Sequence, residues 1–496
     1  MGDGMQQPDD PAVYRLFAMR AQVAPDALAL VQGDMRLTYA ELLDEVDRFA
    51  AGLHARGIAR SDRVAILSEN RWEYLAIQLA CARIGAIAAC QNWRLAVPEL
   101  RHCITLVSPA LLVCSERYAE TAQTAGAGLS ICRIEDLQVA GDSPLAGGAD
   151  DGLLIIYTSG TTGLPKAALI GQRAEVWRSC VLRMDLGLAA DDAYVAWAPM
   201  FHMGGTEHSL ATLMGGGTVI VTNGFDPAAI VDAIEQFRIG WLLLVPATIE
   251  PVLAELQARD PVVMGVKVVG CMPDLVPSAT VAAITGALGA HYLDSFGATE
   301  TGMPPLSANL IPPGAAPASY PKALSMLTEL RLCDADGRDV PRGQPGEAWL
   351  RAPTLFSGYW NNPDANAECF RDGWFRMGDL FRQEDDGFHF VGRAKYLIKS
   401  GGENIYPAEI ERVLLADPRV IDAIVVSRAD AKWGEVPVAV IARNCDTLDE
   451  EAVLAMCRAN LAGYKQPRGV CFVDDSDFPR SASGKIMREA VEAMVA

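Results

Sequence analysis

A chain of 496 residues is too long for one ordinary hydrophobic core, so two or more domains are expected, and half of its residues are hydrophobic, ample to fill them. Its 42 basic against 62 acidic residues leave a net charge of −20, which argues against a generic binder of nucleic acid or of an anionic membrane. Anionic ligands would need positive potential set up locally, by a few Lys, Arg and helix N-termini. The twelve cysteines contain no C-x-x-C pair and no metal-ligand spacing, so reduced core cysteines are expected. The polar, acidic start M-G-D-G-M-Q-Q-P-D-D is unlike a signal peptide, and no apolar run approaches the roughly 18 residues of a membrane span. The expectation is a cytoplasmic protein with no membrane span.

Thr38 and Glu41 form a T-x-x-E capping box, and Leu42, Val46, Phe49, Ala50 and Leu53 recur behind it at helical spacing, with Gly57 as the stop. A strand at 64–67, a helix at 72–83 closed by Gly85 and a strand at 87–90 follow. Such alternation predicts parallel strands with helical crossovers, an α/β class with doubly wound subdomains. No catalytic constellation precedes about residue 140, and 138–151, rich in Gly, Ala and Asp, reads as a surface connection.

The apolar run 153–157 reads as a buried strand that breaks into Thr158, Ser159, Gly160, Thr161, Thr162 and Gly163, with Lys166 shortly after. Glycines bring backbone N–H groups close to a ligand, hydroxyls add donors, and the lysine adds fixed positive charge, which is the chemistry of a polyphosphate cradle. It is not the G-x-x-x-x-G-K-[ST] loop, because Pro165 precedes the lysine and no Ser or Thr follows it. The run 194–198 leads to F-H-M-G-G at 201–205, where Gly204 and Gly205 are expected to leave room that larger side chains would fill. Strands are predicted at 219–221, 241–245 and 266–269, the last ending in Gly270, Cys271, Met272 and Pro273; Cys271 and Met272 are soft and apolar. Y-L-D-S-F-G-A-T-E-T at 292–301 reads as a strand end with a turn, D-D-G-F-H-F at 385–390 as a hairpin. Beyond it, helices at 407–415 and 453–461 and strands at 421–426 and 436–441 predict a small α+β domain.

Together the string I-I-Y-T-S-G-T-T-G-L-P-K at 155–166, F-H-M-G-G, Y-L-D-S-F-G-A-T-E-T, G-E-A-W-L-R with G-Y-W at 358–360, G-W-F-R-M-G-D-L at 373–380, the stretch from G-R-A-K-Y to P-A-E-I-E at 392–411, L-A-G-Y-K-Q-P and P-R-S-A-S-G-K-I at 479–486 resemble, in order, the motifs of the adenylate-forming superfamily of acyl-CoA synthetases, aryl-CoA ligases, peptide-synthetase adenylation domains and luciferases. The resemblance implies a large multi-sheet N-terminal domain, residues 1–393, that binds AMP and the acyl group, and a small mobile α+β lid, residues 394–496, turning near Lys395. It implies ATP, Mg²⁺ and coenzyme A as cofactors and a small carboxylic acid as partner, with no nucleic acid; a homodimer is one assembly it admits.

Residue by residue, the resemblance places the nucleotide against 158–163, Lys166, Asp294, Ser295, Phe296, Gly297, Thr299, Asp379, Arg393 and Lys485. Phe296, where relatives carry tyrosine, would stack on adenine, Asp294 would accept from its amino group, and Asp379 would chelate the ribose hydroxyls. Glu300, with Thr161, would hold Mg²⁺. Lys485, Glu300, Thr158 and His202 would be catalytic. The acyl pocket would be lined by His202, Met203, Gly204, Gly270, Cys271, Met272, Gly297 and Ala298, and Lys395, Ser400, Gly401, Gly402 and Glu403 would serve the hinge and coenzyme A. G-Y-W is taken as scaffold. The apolar character of Met203, Cys271, Met272 and Phe296 points to an aromatic or medium-chain acyl group. The implied reaction forms acyl-AMP and diphosphate, then a thioester with release of AMP. The alternatives are an enzyme delivering the acyl group to a carrier-protein thiol and a non-catalytic nucleotide-binding homologue. Amino-acid-adenylating relatives usually carry Asp where this chain has His202.

Overall fold

A computed structural model describes residues 11–158, 165–400, 403–430, 432–480 and 486–495. The capping box forms as the sequence requires: the Glu41 N–H donates to Thr38 Oγ1 at 3.2 Å, the Thr38 N–H to the Glu41 carboxylate at 2.8 Å, and helix Tyr39–Ala55 runs from there. Helix Trp72–Ile84 ends at Gly85, whose φ of +76° suits glycine, and the chain turns directly into strand Ile87–Cys90.

That strand lies in a sheet ordered Gly358–Tyr359, Lys166–Gly171, Gly152–Thr158, Ile87–Cys90, Arg63–Leu67, Leu111–Cys114, Ile131–Arg133. The five strands from Gly152–Thr158 onward are parallel, as the alternation predicts; the first two add antiparallel at one edge. Successive residues of the parallel strands enter cores on opposite faces: Val64 and Ile66 on one side, Ala65 and Leu67 on the other. Burial on both faces explains why these strands read as continuous apolar runs rather than alternating ones.

A second sheet runs Met35–Thr38, Leu28–Gln32, Val219–Val221, Tyr194–Ala196, and a third Ile239–Leu242, Val266–Val269, His291–Ala298, Gly302–Ile311. The parallel bridge Ala193↔Ile239 joins the two. The strand expected at 241–245 is therefore shifted toward the N-terminus, because Pro246, which has no N–H for a ladder, opens helix Pro246–Arg259 instead. A fourth sheet holds Glu329–Cys333, Pro345–Arg351, Trp374–Gln383, Phe370–Arg371 and Phe388–Arg393; the last pairs with Trp374–Gln383 across the expected hairpin. The connection 138–151 is only partly on the surface. Asp151 is buried and paired with Arg60, Nε to Oδ1 2.8 Å.

The C-terminal sheet is built on Val420–Asp430 against Gly434–Arg443, with Val470–Val473, Ile398–Ser400 and Glu403–Ile405 beside them. Ala423, Val425, Ala439 and Ile441 face helices Pro407–Leu415 and Glu450–Asn460, while Ile424, Val426, Val438 and Val440 face helix Arg488–Val495. These clusters share no residue with the large core of the preceding sheets among the described residues. All twelve cysteines are free, and eight are buried. No helix among the described residues is long and apolar enough to cross a membrane.

Candidate functional site

Thr158 and Lys166 are register partners where strands Gly152–Thr158 and Lys166–Gly171 end. Ser159, Gly160, Thr161, Thr162 and Gly163, which join them, lie outside the described residues. On the far side of Lys166–Gly171 runs Gly358–Tyr359, with Tyr359 opposite Ala168. This ladder sets the Tyr359 ring 4.9 Å from the Lys166 Nζ, measured to its centroid. The Tyr359 hydroxyl donates to Glu300 Oε1 at 2.7 Å. Burial, then the Glu300 charge, push the Tyr359 hydroxyl far above its usual pKa, so it stays protonated and remains a donor. Asn366 clasps the Tyr359 backbone, accepting from its N–H at 2.7 Å and donating to its carbonyl at 2.9 Å.

Three elements thus bring a lysine, a phenol and a carboxylate into one row, with Tyr359 between the two charges. The motif G-Y-W, expected as scaffold, thus contributes Tyr359 to this row. Its signal is a tyrosine on a two-residue edge strand, which has no meaning until its partner strand is known. A carboxylate held by one donor, with phosphate oxygens to complete the shell, is the usual setting for Mg²⁺, so Glu300 fits that ion. Replacing Tyr359 with phenylalanine is expected to leave the protein folded and to raise the Mg²⁺ needed for half-maximal diphosphate release by about tenfold. A magnesium titration that matches the wild type would show that this hydroxyl orients nothing.

The turn presenting Thr299 and Glu300 is pinned by Thr301, whose Oγ1 accepts from the Ala298 N–H at 2.9 Å and donates to the Gly302 carbonyl at 3.0 Å. Just before it, Gly297 lies so near strand Gly302–Ile311 that an added Cβ would meet the Gly302 carbonyl oxygen at 2.2 Å. Phe296 packs perpendicular to Phe381 and tilted on Phe390, both with centroids 4.8 Å away. Phe381 shares strand Trp374–Gln383 with Asp379, two residues earlier. Asp379 is in turn the register partner of Arg393, with Arg393 Nε 2.8 Å from Oδ1. Phe296, Asp379 and Arg393, scattered over about a hundred residues of sequence, are brought into one neighbourhood by this packing.

Asp294 has a different job from the one the resemblance assigns. Its side chain is wholly buried. Lys322 Nζ donates to Oδ1, and Asn309 Nδ2 donates to Oδ2 at 3.0 Å, so both oxygens are committed inside the protein and not to a nucleotide base. Lys322 is equally buried and also reaches Asp274 Oδ2 at 2.5 Å. The lysine therefore ties the 270–274 turn to strand His291–Ala298. Ser295 makes a second tie, its Oγ accepting from the Met272 N–H at 3.1 Å. Cys271 turns into the core, and Met272, left-handed at φ +44°, stays half-buried.

His202 precedes helix Met203–Gly215, and its ring centroid lies 4.6 Å from that of Phe201. The glycines behind it do not open space. A Cβ on Gly204 would meet the Leu243 side chain at 2.9 Å, and one on Gly205 would meet the Pro199 and Ala198 carbonyl oxygens at 2.4 and 2.5 Å. Gly205 is small so that the helix can lie against the 198–199 backbone, and Gly204 faces the Leu243 side chain, so both mark close approaches rather than the room expected from the sequence.

In the C-terminal part, Ser400 and Glu403 are register partners, and Gly401 and Gly402 between them lie outside the described residues. Lys395 Nζ meets Glu489 Oε1 at 2.7 Å, and the Tyr396 hydroxyl donates to the same oxygen at 2.8 Å. Burial acts against the charged carboxylate, yet these hydrogen bonds prevail and hold Glu489 down at about 2. Lys485 lies outside the described residues. Arg480 and Ile486, on either side of 481–485, form a bridge, and Arg480 is anchored on Asp475 and Asp422 at 2.6 and 2.8 Å.

With this geometry in hand, the likeness to known proteins is plain. A family model described as AMP-binding enzyme matches residues 17–360, and one described as AMP-binding enzyme C-terminal domain matches 409–485. The chain belongs to the AMP-binding enzyme family. It is 37% identical over 481 residues to a feruloyl-CoA synthase of Amycolatopsis, covering 95% of this chain and 96% of that one. It is 36% identical over 502 residues to an indoleacetate–CoA ligase of Aromatoleum aromaticum, covering 96% of each. Its fold matches that of o-succinylbenzoate CoA synthetase of Bacillus subtilis, solved with its acyl-adenylate intermediate, with a TM-score of 0.86 at 25% identity over 97% of this chain and 98% of that one. The same synthetase is known with ATP and a magnesium ion.

Proposed function

We propose that this chain is an ATP-dependent carboxylate–CoA ligase: it joins an apolar acid, aromatic or medium-chain, to AMP with release of diphosphate, then passes the acyl group to the thiol of coenzyme A. The observation that carries the reading is the row Lys166, Tyr359, Glu300 beside the ends of the Ser/Thr/Gly segment, in a chain similar along nearly its whole length to aryl-CoA ligases.

The first step needs no general base. A carboxylic acid with a pKa of about 4.3 is already ionised at neutral pH. Its obstacle is anion meeting anion, since two unit charges about 4 Å apart repel by roughly 4 kcal/mol at an effective dielectric of 20. Lys166 and the N–H groups and hydroxyls of 158–163 bind the leaving diphosphate, and Lys485 spans the carboxylate and the α-phosphate. Glu300, fixed by Tyr359, would hold a magnesium ion, which supplies charge neutralisation at the phosphates. Phe296 and Asp379 orient the base and ribose. In the second step a few per cent of a thiol with a pKa near 8.5 is already thiolate at neutral pH, and the mixed anhydride is activated, so the chain supplies position rather than a strong base.

We assign 1–393 to the nucleotide- and acyl-binding domain and 394–496 to a lid that turns near Lys395, which removes Lys485 once its step is done. The gap between the two family matches, 361–408, contains that point. The test is diphosphate release from a panel of carboxylic acids with Mg²⁺ and ATP, with and without coenzyme A. Release with at least one apolar acid, followed by AMP and thioester when coenzyme A is added, is the expected result. No release with any acid overturns the reading, and adenylate that never reaches coenzyme A redirects it to another acceptor.

A further inference from the structure

Two backbone segments meet at Glu300. One is the turn that carries it, and the other is the stretch leading from Thr354 to Tyr359. The Phe356 N–H donates to the Glu300 carbonyl at 2.8 Å, and the Tyr359 hydroxyl reaches the Glu300 carboxylate. Where that carboxylate points depends on how the two segments are held to each other. Arg178, on helix Gln172–Leu186, holds both. Its Nη2 donates to the Thr299 carbonyl at 3.1 Å and its Nε to the Thr354 carbonyl at 2.8 Å. One guanidinium thus bridges the residue just before Glu300 and the residue two before Phe356. Its stem passes Gly302, where a Cβ would fall 2.7 Å from Arg178 Cδ, so the turn is shaped around this side chain.

The third nitrogen, Nη1, donates to Glu207 Oε1 at 2.5 Å, on helix Met203–Gly215. Arg178 and Glu207 are each only 4% exposed. Stability does not explain the arrangement. A buried ion pair gains little over its desolvation cost, and apolar side chains of similar volume often serve as well. What apolar side chains cannot do is donate to two carbonyls at once. Lysine cannot do so with fixed geometry either. Its ammonium is a single point on a flexible stem, whereas a guanidinium is a planar fork whose donors keep a set spacing. Glu207 fixes the orientation of that fork and balances its charge. All three nitrogens of Arg178 are engaged within the protein, so its part in the reaction is played through the residues it holds.

We propose that Arg178 is a positioning residue for the metal site. It sets the spacing between the Thr299–Glu300 turn and the 354–359 segment, and so aims the Glu300 carboxylate at the Mg²⁺ that accompanies ATP. The proposal rests on the ligase reading above and deepens it by naming what holds the Glu300–Tyr359 pair in place.

The test reads ATP binding without turnover. The dissociation constant for ATP is measured by calorimetry, with Mg²⁺ and with a chelator, in the absence of any acid. Wild type is expected to bind ATP more tightly with Mg²⁺. Arg178→Lys, which keeps the charge and can still reach Glu207, should lose about tenfold in affinity with Mg²⁺ and nothing with the chelator. Arg178→Met combined with Glu207→Leu removes both charges of the pair and should show the same selective loss. In a Glu300→Gln background, Arg178→Lys should cost nothing further, because the group it aims is gone. A merely structural role would weaken binding equally in both conditions, or would leave the doubly apolar variant like wild type. Either of those results, wild-type affinity in Arg178→Lys, or a further loss in the Glu300→Gln background overturns the proposal and leaves the ligase reading standing. Should the doubly apolar variant fail to fold, Arg178→Lys decides alone. Wild-type ATP binding that is indifferent to Mg²⁺ also overturns the proposal, whereas diphosphate release with none of a wide panel of acids overturns the ligase reading itself.

Discussion

Lys485→Ala is expected to slow acyl-adenylate formation by about 10²- to 10³-fold, the usual cost of removing one preorganised donor from a developing charge. Thioester formation from supplied acyl-adenylate should be nearly unchanged. The asymmetry follows from the charges. Only the first step brings a carboxylate against a phosphate, and only there does an ammonium between them lower the barrier. In the second step the attacking sulfur meets a carbonyl, and the proposed turn of the lid has by then carried Lys485 away from it. Measuring the two half-reactions separately decides the matter. An equal loss in both would place Lys485 in general scaffolding rather than in the first step.

Glu300→Gln is expected to be comparably damaging, again about 10²- to 10³-fold in diphosphate release, with a much higher Mg²⁺ requirement. Glutamine keeps the shape and still accepts from the Tyr359 hydroxyl, so the fold and the row of side chains should survive. What is lost is the negative oxygen facing the ion. Excess Mg²⁺ should restore part of the rate in Glu300→Gln. If ordinary Mg²⁺ supports full activity in that variant, the ion is held elsewhere.

Much of the fold could be read from residues that act on near neighbours. The Thr38–Glu41 cap, the stop at Gly85 and the strands at 87–90, 219–221 and 266–269 depend on contacts within a few positions, and the structure places them as expected. What escaped is what depends on distant partners. Asp294 looks like a ligand-facing carboxylate until Lys322, 28 residues on, is seen to occupy it. The Arg178–Glu207 pair, 29 residues apart in sequence, joins two helices that the sequence does not pair. Tyr359 has meaning only beside Lys166 and Glu300, nearly two hundred and about sixty positions away. Gly204 and Gly205 were misread for the same reason: whether a missing side chain makes a void or a contact is decided by what lies opposite, here the 198–199 backbone and Leu243.

The grip of Glu489 on Lys395 and Tyr396 has a mechanical consequence. Those two residues are fastened to the final helix, whereas Arg393 is fastened by Asp379 to strand Trp374–Gln383 of the fourth sheet. Between the two moorings lies Ala394 alone. In the lid movement proposed above, the swivel would be confined to the bonds flanking one small residue, and the ribose and base would keep their seat while the carboxy-terminal part exchanged one face for another.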